Sequence, residues 1–198
     1  MIQKIISLMF ILMILLNGQK IYAAPETTVA VILELPHAVL SEPQIVHKNL
    51  DETLNKIFGD YSRFKIIPVE ETSLYFQLYL EENDLLNSFD SYLKKENLSE
   101  LDQYFESDYL IYVRVSNGIS KFSAGLFSAS QKVNVTTDFR VWSEEKSDYV
   151  YLKRFQETGK STSVYVGIGS AEHAIEKGLK KALKQIEKDA VKIRAAMM

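Results

Sequence analysis

Val29-Ala30-Val31-Ile32-Leu33 is an unbroken apolar run of strand length, the pattern of a buried strand, and Pro36 closes it. The pattern then changes to a helical period. Val46, Leu50, Leu54, Ile57 and Phe58 share one face, Ser41 and Gln44 are spaced as a capping box, and Gly59 stands where a helix ends. Phe64-Lys65-Ile66-Ile67 reads as a second strand, closed by Pro68. Glu71–Leu80 fits neither period, and two helices are expected after it. One carries Leu85, Leu86, Phe89, Tyr92 and Leu93. The other is capped by Ser99 and buries Leu101, Tyr104 and Phe105.

Tyr109–Val115 reads as a strand, and Asn117–Ser130 as a short Gly/Ser-rich connection. Val133, Val135, Thr137, Phe139 and Val141 alternate along the next strand, and Tyr149–Gln156 alternates as well. The turn at 143–148 makes these two an antiparallel hairpin. The last element is the longest helix, Ser170 to about Arg194. Its buried stripe contains Ala171, Ala174, Ala182 and Ala190, small enough to let it approach a sheet closely. The order β-α-β-α-α-β-β-β-α predicts an α/β (α+β) fold, a mixed sheet with helices packed on it.

The amino terminus has its own pattern. Lys4 precedes the uncharged run Ile5–Leu16, a polar stretch follows, and Ile21-Tyr22-Ala23 ends it. That is the form of a secretory signal peptide over residues 1–23. Cleavage is expected after Ala23, since a cut after Ala24 would place Pro25 directly beyond the bond. The apolar run is too short to span a bilayer, which takes about 20 residues. Residues 24–198 then form one domain, long enough to be stable by burial.

Composition narrows the picture. There is no cysteine, hence no disulfide, no thiol nucleophile, no thiolate metal site and no lipidated cysteine. The protein is therefore expected to be free of a lipid anchor, periplasmic or secreted. Without Lys4 and Lys20 the chain has 21 basic against 26 acidic residues, which argues against nonspecific nucleic-acid binding. The charge is uneven: residues 170–198 hold seven Lys or Arg against four acids.

These runs resemble a bacterial envelope group: curli-secretion CsgG-type proteins, the amino-terminal domain of TolB, and the lipoprotein activators of penicillin-binding proteins. The runs that carry the resemblance are Val29–Leu33, Phe64–Glu70, Ser107–Val115 (similar to the group's "gadYlivgrV") and Lys132–Trp142. The resemblance spans most of residues 24–198 and implies a fold, not an activity. It transfers no functional residue. Curli-type channels insert membrane hairpins with strands of about 9–11 residues; the connection at 117–130, with Lys121 in it, is too short and polar for one.

No catalytic constellation is present. His37, His47 and His173 lack a second histidine within a turn, so no metal is expected, although His47 has Asp51 at i+4 and His173 has Glu172 and Glu176 nearby. Thr158-Gly159-Lys160-Ser161-Thr162 is superficially like a phosphate loop, but Arg154 stands where the motif requires its first glycine. Glu70-Glu71 and Glu81-Glu82 read as solvated surface. Neither enzyme activity nor a cofactor is expected.

Three segments could bind. Ile119–Phe127 sets Phe122, Leu126 and Phe127 among small residues, as a partner contact or as cover for the core. Lys177, Lys181, Lys184 and Lys188, with Lys180 and Lys192, form a face of the last helix that suits an acidic partner or anionic headgroups, or is simply solvated. The turn Gly167, Gly169, Ser170 could hold an anion on its amides; its simpler role is a flexible turn with Ser170 as N-cap. The expectation is a non-enzymatic envelope protein that binds another protein. A small-ligand or anion-binding module and an oligomeric export channel are the alternatives, and oligomerisation stays open.

Overall fold

The computed structural model describes residues 26–35, 43–59, 61, 63–85, 93–124, 128–164 and 170–198. Within them lie five strands, β1 (Thr27–Glu34), β2 (Phe64–Ile67), β3 (Tyr109–Ala124), β4 (Ser128–Ser143) and β5 (Asp148–Val164). The helices are α1 (Pro43–Phe58), α2 (Val69–Glu82), α3 (Lys95–Phe105), α4 (Ala171–Lys188) and the short α5 (Ala190–Ala196). The sheet order is β2-β1-β3-β4-β5. β1 is parallel to both neighbours, whereas β3-β4-β5 is an antiparallel meander. The expected α+β architecture and mixed sheet are the architecture found.

Helices cover both faces, which is why β1 and the first half of β3 are apolar without alternation. Val29, Val31, Ile111, Val113 and Val115 join α1, α4 and α5 in one core on the first face. Ala30, Ile32, Leu110, Tyr112 and Trp142 join α2 and α3 in another on the second. The small stripe of α4 does bring it close to the sheet, over Val135 and Gly159.

Several expectations need correcting. α2 occupies Val69–Glu82, the stretch that fitted neither period. α3 starts at Lys95, its first turn closed by Asn97 Oδ1 accepting from the Lys94 amide at 3.0 Å. Ser99 is therefore inside the helix, where its hydroxyl donates to Glu144 at 3.0 Å. Tyr104 is 55% exposed and stacks on Tyr75. The signal segment with Ala23 and Ala24, the cap at Ser41, His37, and the helical face from Leu86 to Tyr92 lie outside the described residues.

The largest correction concerns length. The meander strands run 16, 16 and 17 residues. The expected connection at 117–130 is strand for most of its length, and β5 continues eight residues beyond Gln156. The shortness invoked against a membrane hairpin is thus not a property of this chain. At about 3.3 Å per residue each strand spans roughly 50 Å.

Candidate interaction surface

Two charge patterns cross the second face of the sheet. The inner one is a ladder of alternating sign. Glu34, Arg114, Asp138 and Arg154 are successive register partners across β1, β3, β4 and β5. Arg114 Nε is 3.1 Å from Glu34 Oε1, and Arg154 Nε donates to Asp138 Oδ1 at 2.8 Å. In the adjoining register row the Tyr112 hydroxyl donates to Glu34, and burial pushes that phenol far above its ordinary value. The Arg140 guanidinium lies 5.5 Å from the Tyr149 ring and 6.0 Å from Tyr112. Arg114 and Asp138 are buried, so pairing with Glu34 and Arg154 offsets their desolvation and joins β3 to β1 and β4 to β5.

The outer pattern has one sign. Lys121 pairs with Lys132, and Lys132 pairs with Lys160, so three lysines from three adjacent strands stand in one row on the second face. All three are exposed, and none makes an ion pair among the described residues. Hydroxyl and amide groups flank the row. The Ser123 and Ser130 oxygens are 2.9 Å apart on its outer side, and Thr158 Oγ1 donates to Asn134 Oδ1 at 2.9 Å on its inner side.

At this end of the meander β3 leaves the helical cover, while Val133 of β4 and Gly159 of β5 stay packed under α4. Every residue from Ser116 to Ala124 is exposed. Phe122, a predicted contact residue, is 56% exposed and pairs with Gln131 on the first face. Ile119 is 77% exposed and sits in the register irregularity between Asn117 and Ser120. Leu126 and Phe127 lie outside the described residues.

The other two predicted surfaces are placed as follows. Lys177, Lys181, Lys184 and Lys188 are exposed along α4. Lys181 Nζ, however, is held by the Thr158 carbonyl at 2.7 Å, and neighbouring Lys180 pairs with Glu176 at 2.9 Å. Ser170 is the N-cap of α4, its Oγ accepting from the His173 amide at 3.0 Å. Gly167 and Gly169 lie outside the described residues. His47 is held below its ordinary value by burial, against the pull of Asp51 and Glu70, while Asp51 Oδ1 accepts from the Val69 amide at 3.4 Å.

One group has the titration of an acid catalyst without its access. Burial raises the Asp102 carboxyl to about 7, with Glu144 and Asp108 adding to the rise against the Ser107 hydrogen bond. Asp102 is fully enclosed, and its Oδ2 has no hydrogen-bond partner among the described residues. A perturbed acid often marks a site, but a substrate cannot reach this one. The sequence reading missed both Asp102 and the lysine row. Asp102 lies in the helix it did predict, between the apolar Leu101 and the turn at Glu106.

No family model matches the chain, and no curated protein matches it in sequence. Solved structures do. The hypothetical protein CT253 from Chlamydia trachomatis is similar at 10% identity and TM-score 0.42, covering 86% of this chain and 96% of its own. Lipoprotein GNA1162 from Neisseria meningitidis matches at 11% and 0.38, over 83% and 99%. The LpoB C-terminal domain from Salmonella enterica matches at 9% and 0.31, over 68% and 85%. At these values the likeness lies in the general run of helices and strands and goes no further. The lipoprotein, LpoB and TolB parts of the sequence resemblance have counterparts here, the last in TolB from Acinetobacter baumannii; the curli-secretion part has none among these.

The expectation that the protein is not a lipoprotein is corrected. Lipoproteins recur among the structures it resembles, from Neisseria meningitidis and Acinetobacter baumannii among others. That expectation rested on the absence of cysteine, which speaks only for residues 1–198 and for one attachment chemistry. Among the described residues no helix is long and apolar enough to cross a membrane.

Proposed function

We propose that this chain is an exported, non-enzymatic accessory protein of the cell envelope that binds another protein through the outer end of its β3-β4-β5 meander. The observation that carries this reading is the exposure of Phe122 and Ile119 on the outer half of β3, which the core-covering helices leave bare. Exposed apolar side chains on a rigid, paired scaffold are the usual material of an interface. The signal-type pattern of residues 1–23, with cleavage after Ala23, supports export, and the sequence resemblance supports the envelope as its setting. The lysine face of α4 is a second contact in this reading, limited to Lys177, Lys184 and Lys188, because Lys181 is held by Thr158.

Ile119→Ser and Phe122→Ser together test this. Both side chains are exposed, so the fold is expected to survive. A partner captured by the parent from an envelope extract is expected to be lost by the double variant. Retention of every captured partner by a folded double variant would end the reading.

A further inference from the structure

The row Lys121-Lys132-Lys160 places like charges directly opposite one another, an arrangement that costs stability in a sheet. The inner ladder on the same face solves this problem within the chain, Arg114 meeting Glu34 and Arg154 meeting Asp138. The outer row has no such carboxylate among the described residues. Lysines on an edge strand commonly guard it against unwanted pairing, and Lys160 on edge strand β5 could serve so. The same holds for Lys121, since β3 beyond Arg114 pairs with β4 alone, but it does not account for Lys132, which lies on the middle strand of the three with a neighbour on each side.

We propose that the lysine row binds an acidic polypeptide segment of the partner protein, laid across the three strands so that its carboxylates complete the row. Neighbouring strands are about 4.8 Å apart, so the row spans roughly 10 Å; alternate side chains of an extended peptide are about 7 Å apart, so two carboxylates fall within it. Ser123, Ser130, Asn134 and Thr158 flank the row and supply hydrogen bonds to the segment's backbone. A flat anionic bilayer fits less well. The same face carries α2, whose four charges, Glu70, Glu71, Glu81 and Glu82, are all acidic. A single extended segment reaches the lysines without approaching that helix.

This inference rests on the reading of the outer meander as a contact surface. The probe is a synthetic peptide of four Glu-Ser repeats, with its Gln-Ser counterpart as control, titrated into the isotope-labelled protein. The Glu peptide is expected to shift the amides of Lys121, Lys132 and Lys160, and the Gln peptide is not. The triple variant K121Q/K132Q/K160Q is expected to bind it about tenfold more weakly or worse, and the control variant K48Q/K65Q, at exposed lysines away from both proposed contacts, is expected to leave binding intact. The proposal is overturned if no shift occurs at about 1 mM peptide, or if the row variant binds like the parent. It is equally overturned if inorganic phosphate or phosphatidylglycerol vesicles bind the row and the peptide does not. A partner that depends on Phe122 but binds the triple variant as well as the parent would leave the proposed function standing and end this inference alone.

Discussion

Gly159 of β5 lies directly under Ala174 of α4: a Cβ built on Gly159 would sit 1.5 Å from the Ala174 carbonyl oxygen and 2.7 Å from the Gly178 amide nitrogen. Helix backbone therefore rests on strand backbone, and nothing larger than hydrogen fits between them. Gly159→Ala is expected to cost about 3 kcal/mol or more, because backbone atoms cannot give way as a side chain can. Gly178→Ala meets the Val135 side chain instead, at 2.6 Å from Cγ2. It is expected to cost less, and Val135→Ala beside it to recover part of the loss. Urea denaturation of the two single variants and the pair checks this; additivity would mean that the contact is not as described.

Asp102 gives the fold a pH dependence of definite sign. Its folded carboxyl keeps its proton to about pH 7 because it is buried, whereas the unfolded chain releases it near 3.8. The protonated form's contribution is complete below pH 3.8 and is lost as pH rises through 7. Asp102→Asn keeps the shape without the charge. It is expected to match the parent near pH 4 and exceed it by roughly 2 to 4 kcal/mol at pH 8. Stability curves at the two pH values decide this, and a constant difference would contradict it.

The lysine row predicts a stabilising substitution. Lys132 stands between two ammonium groups, so Lys132→Gln is expected to raise stability by about 0.2–1 kcal/mol in low salt. The gain should shrink as salt screens the repulsion. Melting curves at low and high ionic strength test it, and a loss of stability at low salt would show that the three charges do not repel as placed.

The sequence is legible where burial writes a pattern. β1 and the first half of β3 are apolar throughout because both faces are covered, and β4 alternates at Val133, Val135, Phe139 and Val141 because the first face is buried. α2 was hidden for the opposite reason. Leu74 and Leu78 are apolar on its exposed side while Phe76, Tyr79 and Leu80 are buried, so no clean stripe appears. Ser116–Ala124 looks like a loop because neither face of that stretch is buried; pairing to β4 makes it a strand.

The lysine row could not be read as a linear motif at all. Its members come from three strands, and their alignment depends on the irregularity between Asn117 and Ser120. Asn117 pairs with Val135 on the first face, and in a regular strand Lys121, four residues on, would share that face. The extra residue sends it to the other side, beside Lys132.

The claim that the outer meander is a contact surface is tested most directly by a photo-cross-linking residue placed at position 122 in the living cell, with one at exposed Lys48 of α1 as control. The account predicts a discrete adduct with another envelope protein from position 122 and none from position 48. No adduct at 122, or the same adducts from both positions, would contradict it.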